Sequence, residues 1–150
     1  MTRPVLISLR GTQAYGREAP ETIELLTRGT LTGRNGKFAI SYEETELTGN
    51  QGVTTTFLIL NPGRVVLNRT GALQSKMVFV EGVKDESFYD LGFGSLLIGV
   101  YAHQIQVDLT ENGGRLFIDY SVEIEQSVSS RNSYEITITR DDTSETLVEP

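Results

Sequence analysis

The sequence has no cysteine, no tryptophan, one histidine and five alanines among its 150 residues. Without cysteine there is no disulfide scaffold, thiolate zinc site or cysteine nucleophile, and a lone imidazole disfavours a nitrogen-rich metal centre. No cofactor or metal is therefore expected. Scarce alanine argues against a helical bundle, which favours that residue. Long apolar runs are also lacking. No stretch approaches the roughly 18 to 20 residues of a membrane-spanning helix. The start, MTRPVLISLRG, sets Arg10 after a short alternating segment rather than a hydrophobic signal core. A soluble, cytoplasmic protein without a membrane span is expected. Basic charge is short as well. Thirteen Lys and Arg face twenty Asp and Glu, a net charge of −7, which opposes binding to a nucleic-acid phosphate backbone. More than half of that excess lies in residues 141–150, where Asp141, Asp142, Glu145 and Glu149 stand without a base. The expectation is one domain over 1–140 followed by an acidic, disordered tail.

What is abundant is β-forming. Thr, Val, Ile, Tyr and Phe together supply 51 of the 150 residues, types that suit a pleated surface. Turn signals recur at short intervals: Gly33 to Gly36, Asn50 to Gly52, Asn61 to Gly63, Gly71, Gly82, Gly92 to Gly94 and Asn112 to Gly114. Strands are predicted near 4–11, 22–32, 37–48, 53–60, 64–70, 73–82, 85–91, 94–109, 115–127 and 132–140, eight to ten depending on how the middle segments merge. Short consecutive connections describe a meander, so an all-β, closed antiparallel up-and-down barrel is expected over a Greek-key sandwich. Gly11 to Glu21, with Tyr15 and Pro20, is the one long loop predicted, placed to cap a barrel mouth.

Side chains alternate faces along a strand, so parity assigns an interior. Val5, Ile7 and Leu9 share a face, as do Leu116, Ile118, Tyr120, Val122 and Ile124, and Tyr134, Ile136 and Ile138, and each set is expected to point inward. Phe38, Ile40, Leu67, Phe79 and Ile105 complete the expected core. The segment 94–109 changes phase, which predicts a bulge near Val100 and Tyr101, with Gly99 permitting the bend.

Several polar residues fall in these apolar phases. Glu44 and Glu46 continue Phe38, Ile40 and Tyr42. Arg69 continues Val65 and Leu67. His103 lies between Tyr101 and Ile105. An inward guanidinium must find a partner, because an unpaired buried charge costs several kcal/mol. Two readings follow: a structural ion pair of Arg69 with Glu44 or Glu46, or a polar patch of Arg69, Tyr42 and Tyr120 that takes an anionic group in an apolar cavity. Arg suits the second because its planar fork meets a carboxylate bidentately. Catalytic signatures are weak. Gly92-Phe93-Gly94-Ser95 lacks the glycine of a nucleophile elbow, and no third glycine makes Gly92 and Gly94 a dinucleotide fingerprint. Asn68-Arg69-Thr70 matches a glycosylation sequon by chance, given no export signal.

The ordered series Ser41-Tyr42-Glu43-Glu44-Thr45-Glu46-Leu47-Thr48-Gly49, Thr54-Thr55-Thr56, Arg69-Thr70-Gly71, Met77-Val78-Phe79-x-Glu81-Gly82, Tyr89 to Gly94 and Gly114-x-Leu116-x-Ile118-x-Tyr120 resembles the YwiB-like family of bacterial β-barrel proteins. The likeness spans about 4–140. It implies a calycin-like closed barrel, related in shape to lipocalins, in a cytoplasmic protein, and brings no established ligand or reaction. A Thr-Pro pair common in the family is replaced here by Leu91-Gly92. The functional expectation is a non-catalytic binding protein for a small amphiphilic or carboxylate ligand, with Arg69, Tyr42, Tyr120, Glu44, Glu46 and His103 as candidate contacts. The alternatives are a side-chain-filled structural or protein-interaction module, and an enzyme using His103 with Glu44 or Glu46.

Overall fold

The computed structural model describes residues 1–45, 51–72, 74–90 and 92–141. It contains ten strands: β1 (Thr2–Ala14), β2 (Glu21–Arg34), β3 (Lys37–Glu43), β4 (Val53–Asn61), β5 (Arg64–Gly71), β6 (Ser75–Val80), β7 (Lys84–Asp90), β8 (Ser95–Thr110), β9 (Gly113–Ile124) and β10 (Ser127–Arg140). They form one antiparallel sheet in the order β6-β5-β4-β3-β2-β1-β10-β9-β8-β7. The chain meanders outward from β1 to β6, then returns from β7 to β10, which pairs with β1. The sheet thus curls into a nearly closed up-and-down barrel. Its seam lies between β6 and β7, joined by the bridge Val80↔Val83 and the parallel bridge Glu81↔Ala102.

Alternation produces the interior. Val5, Ile7, Leu31, Ile40, Phe57, Phe79, Leu116, Ile118 and Ile136 are all fully buried, and each apolar side chain withdrawn from water contributes about 1.5–3 kcal/mol. Apart from Ile124, which is exposed, the parity-assigned core is reproduced, with Phe38, Val122 and Tyr134 half-buried against it. Charges sit on the other face of the same strands, paired as Arg10–Glu24, Arg115–Glu135 and Arg131–Asp119. A lipid-facing barrel surface would have to bury such charges in hydrocarbon. Among the described residues no helix is long and apolar enough to cross a membrane.

Four local expectations are corrected. First, β1 runs to Ala14, because Thr12 and Gln13 pair with both β2 and β10, so the long loop shrinks to residues 15–20. Second, the bulge in β8 falls at His103, between Ala102 and Gln104, not at Val100 and Tyr101. Small Ala102 keeps the inward phase of Val100 for one more step, and Ile105 resumes it after the extra residue. The seam holds this bulge: the Glu81 carboxylate accepts the Ile105 amide at 2.7 Å, and the Gly82 amide donates to the Ala102 carbonyl at 2.9 Å. Third, β9 and β10 are joined at Glu125 and Gln126, where strand was expected to continue. Both have positive φ, 51° and 70°, the backbone of a primed hairpin turn normally given to Asn and Gly. Glu125 offsets that cost by clamping β8, its amide donating to the Leu97 carbonyl and its carboxylate accepting the Leu97 amide, each at 2.9 Å. Fourth, Ile124, expected inward with Leu116 to Val122, is exposed, because it is the last residue of β9 before the turn at Glu125 and Gln126. Asp141 contacts the barrel: its amide donates to the Pro4 carbonyl at 3.3 Å and its carboxylate lies 3.4 Å from Arg28. The rest of the expected tail lies outside the described residues.

Candidate functional site: a pocket at one barrel end

At the end where β1, β3, β5 and β9 finish, the inward phases carry polar residues rather than aliphatic ones. A pocket of about 190 Å³ opens there, lined by the apolar Leu9, Ile23 and Leu25 and by Tyr42, Glu44, Arg69, Tyr120, Asn132 and Tyr134. Each polar wall residue arrives by alternation. Tyr42 and Glu44 follow Ile40 on β3 and beyond, Arg69 follows Leu67 on β5, and Asn132 and Tyr134 precede Ile136 on β10. Space for Tyr42 is made by Gly29 of β2. A Cβ at Gly29 would lie 2.3 Å from the Ser41 carbonyl oxygen, 2.5 Å from Ile7 Cδ1 and 3.2 Å from Tyr42 Cβ.

Rings line the floor. Tyr120 and Tyr134 stack with centroids 5.7 Å apart, Phe79 meets Tyr120 edge-on at 4.7 Å, and Phe57 meets Tyr134 edge-on at 5.4 Å. Glu44 is buried, with 7% of its surface exposed. It accepts a 2.7 Å hydrogen bond from the Thr55 hydroxyl. Burial and then the neighbouring Glu44 carboxylate push the Tyr42 phenol well above its ordinary value. Burial and then Tyr134 do the same to Tyr120. Both hydroxyls therefore stay protonated, as donors.

Arg69 is the group without a full complement. Burial opposes its charge, but Tyr134, Tyr42 and Glu44 around it outweigh that and hold its pKa above the usual guanidinium value. Tyr134, stacked on Tyr120, also neighbours Arg69 in the pocket wall. Yet the Arg69 Nε is buried and has no hydrogen-bond partner. Among the described residues no ion pair joins Arg69 to a carboxylate. A cation sharing a pocket with phenol donors and keeping a free N–H is suited to take an anionic group.

Four of the six predicted contacts thus meet in one pocket: Arg69, Tyr42, Tyr120 and Glu44. Glu46 lies outside the described residues. His103 is not brought to the site. As the bulged residue it points outward and is exposed, its Nε2 hydrogen-bonded to Ser121 Oγ at 2.7 Å and its ring edge-on to Tyr101 at 4.9 Å. It does not converge with Glu44. Sequence reasoning missed Asn132, Thr55 and the polar role of Tyr134. Parity could have flagged all three, since Asn132 and Tyr134 share the phase of Ile136 and Thr55 shares that of Phe57 and Ile59.

The sequence profile of the family described as a domain of unknown function, DUF1934, matches residues 7–136. The uncharacterized beta-barrel protein YwiB of Bacillus subtilis is 32% identical over 105 residues, covering 69% of this chain and 71% of that protein. A crystal structure of the YwiB protein from Bacillus subtilis superposes with a TM-score of 0.66 at 23% identity, covering 91% of this chain and 92% of that one. At that identity the superposition speaks for the fold alone, and it is the same β-barrel. With the profile spanning most of the barrel and the relative 32% identical over 69% of the chain, the chain belongs to the DUF1934 family, the YwiB-like β-barrel proteins.

Proposed function

We propose that this barrel is a non-catalytic, calycin-like binding protein that takes a small carboxylate-bearing ligand at its polar end, with Arg69 as the anion contact and Tyr42 and Tyr120 as hydroxyl donors. The observation that carries the reading is the Arg69 guanidinium, set in a pocket with a buried Nε and no partner for it. The pocket is smaller than the roughly 300 to 1,000 Å³ typical of drug-sized ligands. Directly beneath it, Phe57, Phe79, Leu67 and Ile118 fill the barrel. A long acyl tail therefore has no room inside, and the amphiphile reading narrows to a compact ligand with a short apolar part against Leu9, Ile23 and Leu25. Non-catalytic action is supported by the separation of the lone imidazole from the pocket carboxylate, since a general base must reach its reacting partner. A cysteine-free chain suits a cytoplasmic setting.

Native mass spectrometry of purified protein and displacement of an environment-sensitive dye test the proposal. Arg69→Met is expected to lower affinity for short carboxylates by about tenfold or more relative to the matching neutral amides, because a charge-assisted hydrogen bond is lost. Equal affinity of the variant for both classes would remove the anion-site reading. The alternative, a protein-interaction module, draws on exposed Phe88 of β7 at the open seam, since an unpaired edge strand can accept another chain.

A further inference from the structure

The pocket holds opposite charges that do not neutralise each other. Among the described residues Arg69 has no carboxylate partner, and Glu44, almost wholly buried, spends one acceptor position on Thr55. A carboxylate has about four such positions, so Glu44, which lines the cavity, keeps capacity to accept from a ligand. Tyr42 lies in the field of both charges: burial raises its phenol most, Glu44 raises it further, and Arg69 opposes the rise without reversing it. Among the described residues the rim adds a second acid, Glu21, and no second base. The lining is therefore net negative, on a chain whose net charge is −7. A bare carboxylate or phosphate entering it would meet one guanidinium and two carboxylates. Anion binding at Arg69 is more favourable when the ligand also brings positive charge for Glu44.

Resting on the carboxylate-binding reading above, we infer that the ligand is a small zwitterion of the amino-acid type: its carboxylate on Arg69, its ammonium on Glu44, and a short apolar side chain against Leu9, Ile23 and Leu25. An ammonium carries donors only, which is what an acceptor-only carboxylate requires. Compactness fits as well, because in such a molecule the two charges are separated by one carbon.

The test is isothermal titration calorimetry of the full chain with three matched pairs: alanine and propionate, leucine and 4-methylpentanoate, phenylalanine and 3-phenylpropionate. In at least one pair the amino acid is expected to bind about tenfold tighter than its des-amino partner, since the ammonium adds a charge-assisted contact to Glu44. Glu44→Gln should abolish that preference while leaving affinity for the des-amino acid equal or higher. If propionate, 4-methylpentanoate or 3-phenylpropionate binds through Arg69 and no amino acid exceeds its partner, the zwitterion inference fails and the carboxylate reading stands. If none of the six binds at millimolar concentration, both fail. The pairwise comparison uses the unmodified protein, so it decides the question even if Glu44→Gln does not fold.

Discussion

The two ends of the barrel interior are built on the same alternation and filled differently. Toward the end that holds the N-terminus, the inward positions are Val5, Leu31, Ile59, Val65 and Ile138, with at most 2% of any of them exposed. Toward the other end the same phases deliver Tyr42, Glu44, Thr55, Arg69, Asn132 and Tyr134, and a pocket forms. Backbone geometry does not separate the halves; side-chain chemistry does. Aliphatic side chains interdigitate into a solid plug, whereas groups that must keep hydrogen-bond partners hold one another apart. Arg3 makes the contrast sharper. It continues the inward phase of Val5 and Ile7 at the filled end and also has a buried Nε without a partner. What sets Arg69 apart is the company of Tyr42, Tyr134 and Glu44.

If the filled half carries stability, truncating it has the largest effect. Leu31→Ala is expected to destabilise by about 2–5 kcal/mol, the range for a large-to-small change in a rigid core. Urea denaturation measures it. A loss below about 1 kcal/mol would mean that the plug is loosely packed and the contrast between the ends is overstated. Gly29→Ala comes next. Its new Cβ would press on the Ser41 carbonyl and on Ile7, so a cost of about 1–3 kcal/mol is expected from overpacking. Because Tyr42 is the third neighbour, the same change should also weaken carboxylate binding, linking a backbone position to the pocket. Stability lost with affinity intact would show that Tyr42 is not placed by this contact.

The fold was legible because strand alternation and glycine-bearing turns are local signals. Asn35-Gly36, with φ of 54° and 77°, turns where the sequence indicates. Glu125-Gln126 does not announce itself, because its strained turn is compensated by Leu97 on another strand, a contact no local pattern encodes. His103 was misplaced for a related reason. Its inward assignment depended on where β8 changes phase, and that point is fixed by Glu81 across the seam. Four site residues were legible as polar exceptions to an apolar phase. That Arg69 would lack an ion pair with Glu44 was not, since side-chain reach across the barrel depends on its curvature and register.

The polar end should also respond to base more than the filled end does. Tyr42 and Tyr120 have phenols raised above the unfolded value of about 10. The folded state therefore keeps protons that the unfolded chain releases. Their contribution is fully present below pH 10 and is lost as pH rises through the folded values. Alkaline unfolding followed by circular dichroism is expected to begin above about pH 10, and Tyr42→Phe or Tyr120→Phe should move its midpoint upward. An unchanged midpoint in both variants would place the alkaline transition elsewhere.

The smallest stability effect is expected at the residue that matters most for binding. Arg69→Met removes a half-buried cation whose Nε is unsatisfied and replaces it with an apolar chain of similar length. The lost interactions with Tyr134 and Glu44 are set against relief from keeping a charge and a free donor out of water, so the net change should lie within about 1 kcal/mol and could be a gain. A structural ion pair behaves differently: removing one member strands the other, at a cost of about 3–5 kcal/mol when both are buried. Thermal and urea unfolding of Arg69→Met therefore separate the two readings of this guanidinium. A near-neutral change accompanied by lost carboxylate affinity identifies a residue held ready for a ligand. A loss of several kcal/mol would make Arg69 a structural partner of Glu44 and turn the polar end into a second kind of plug.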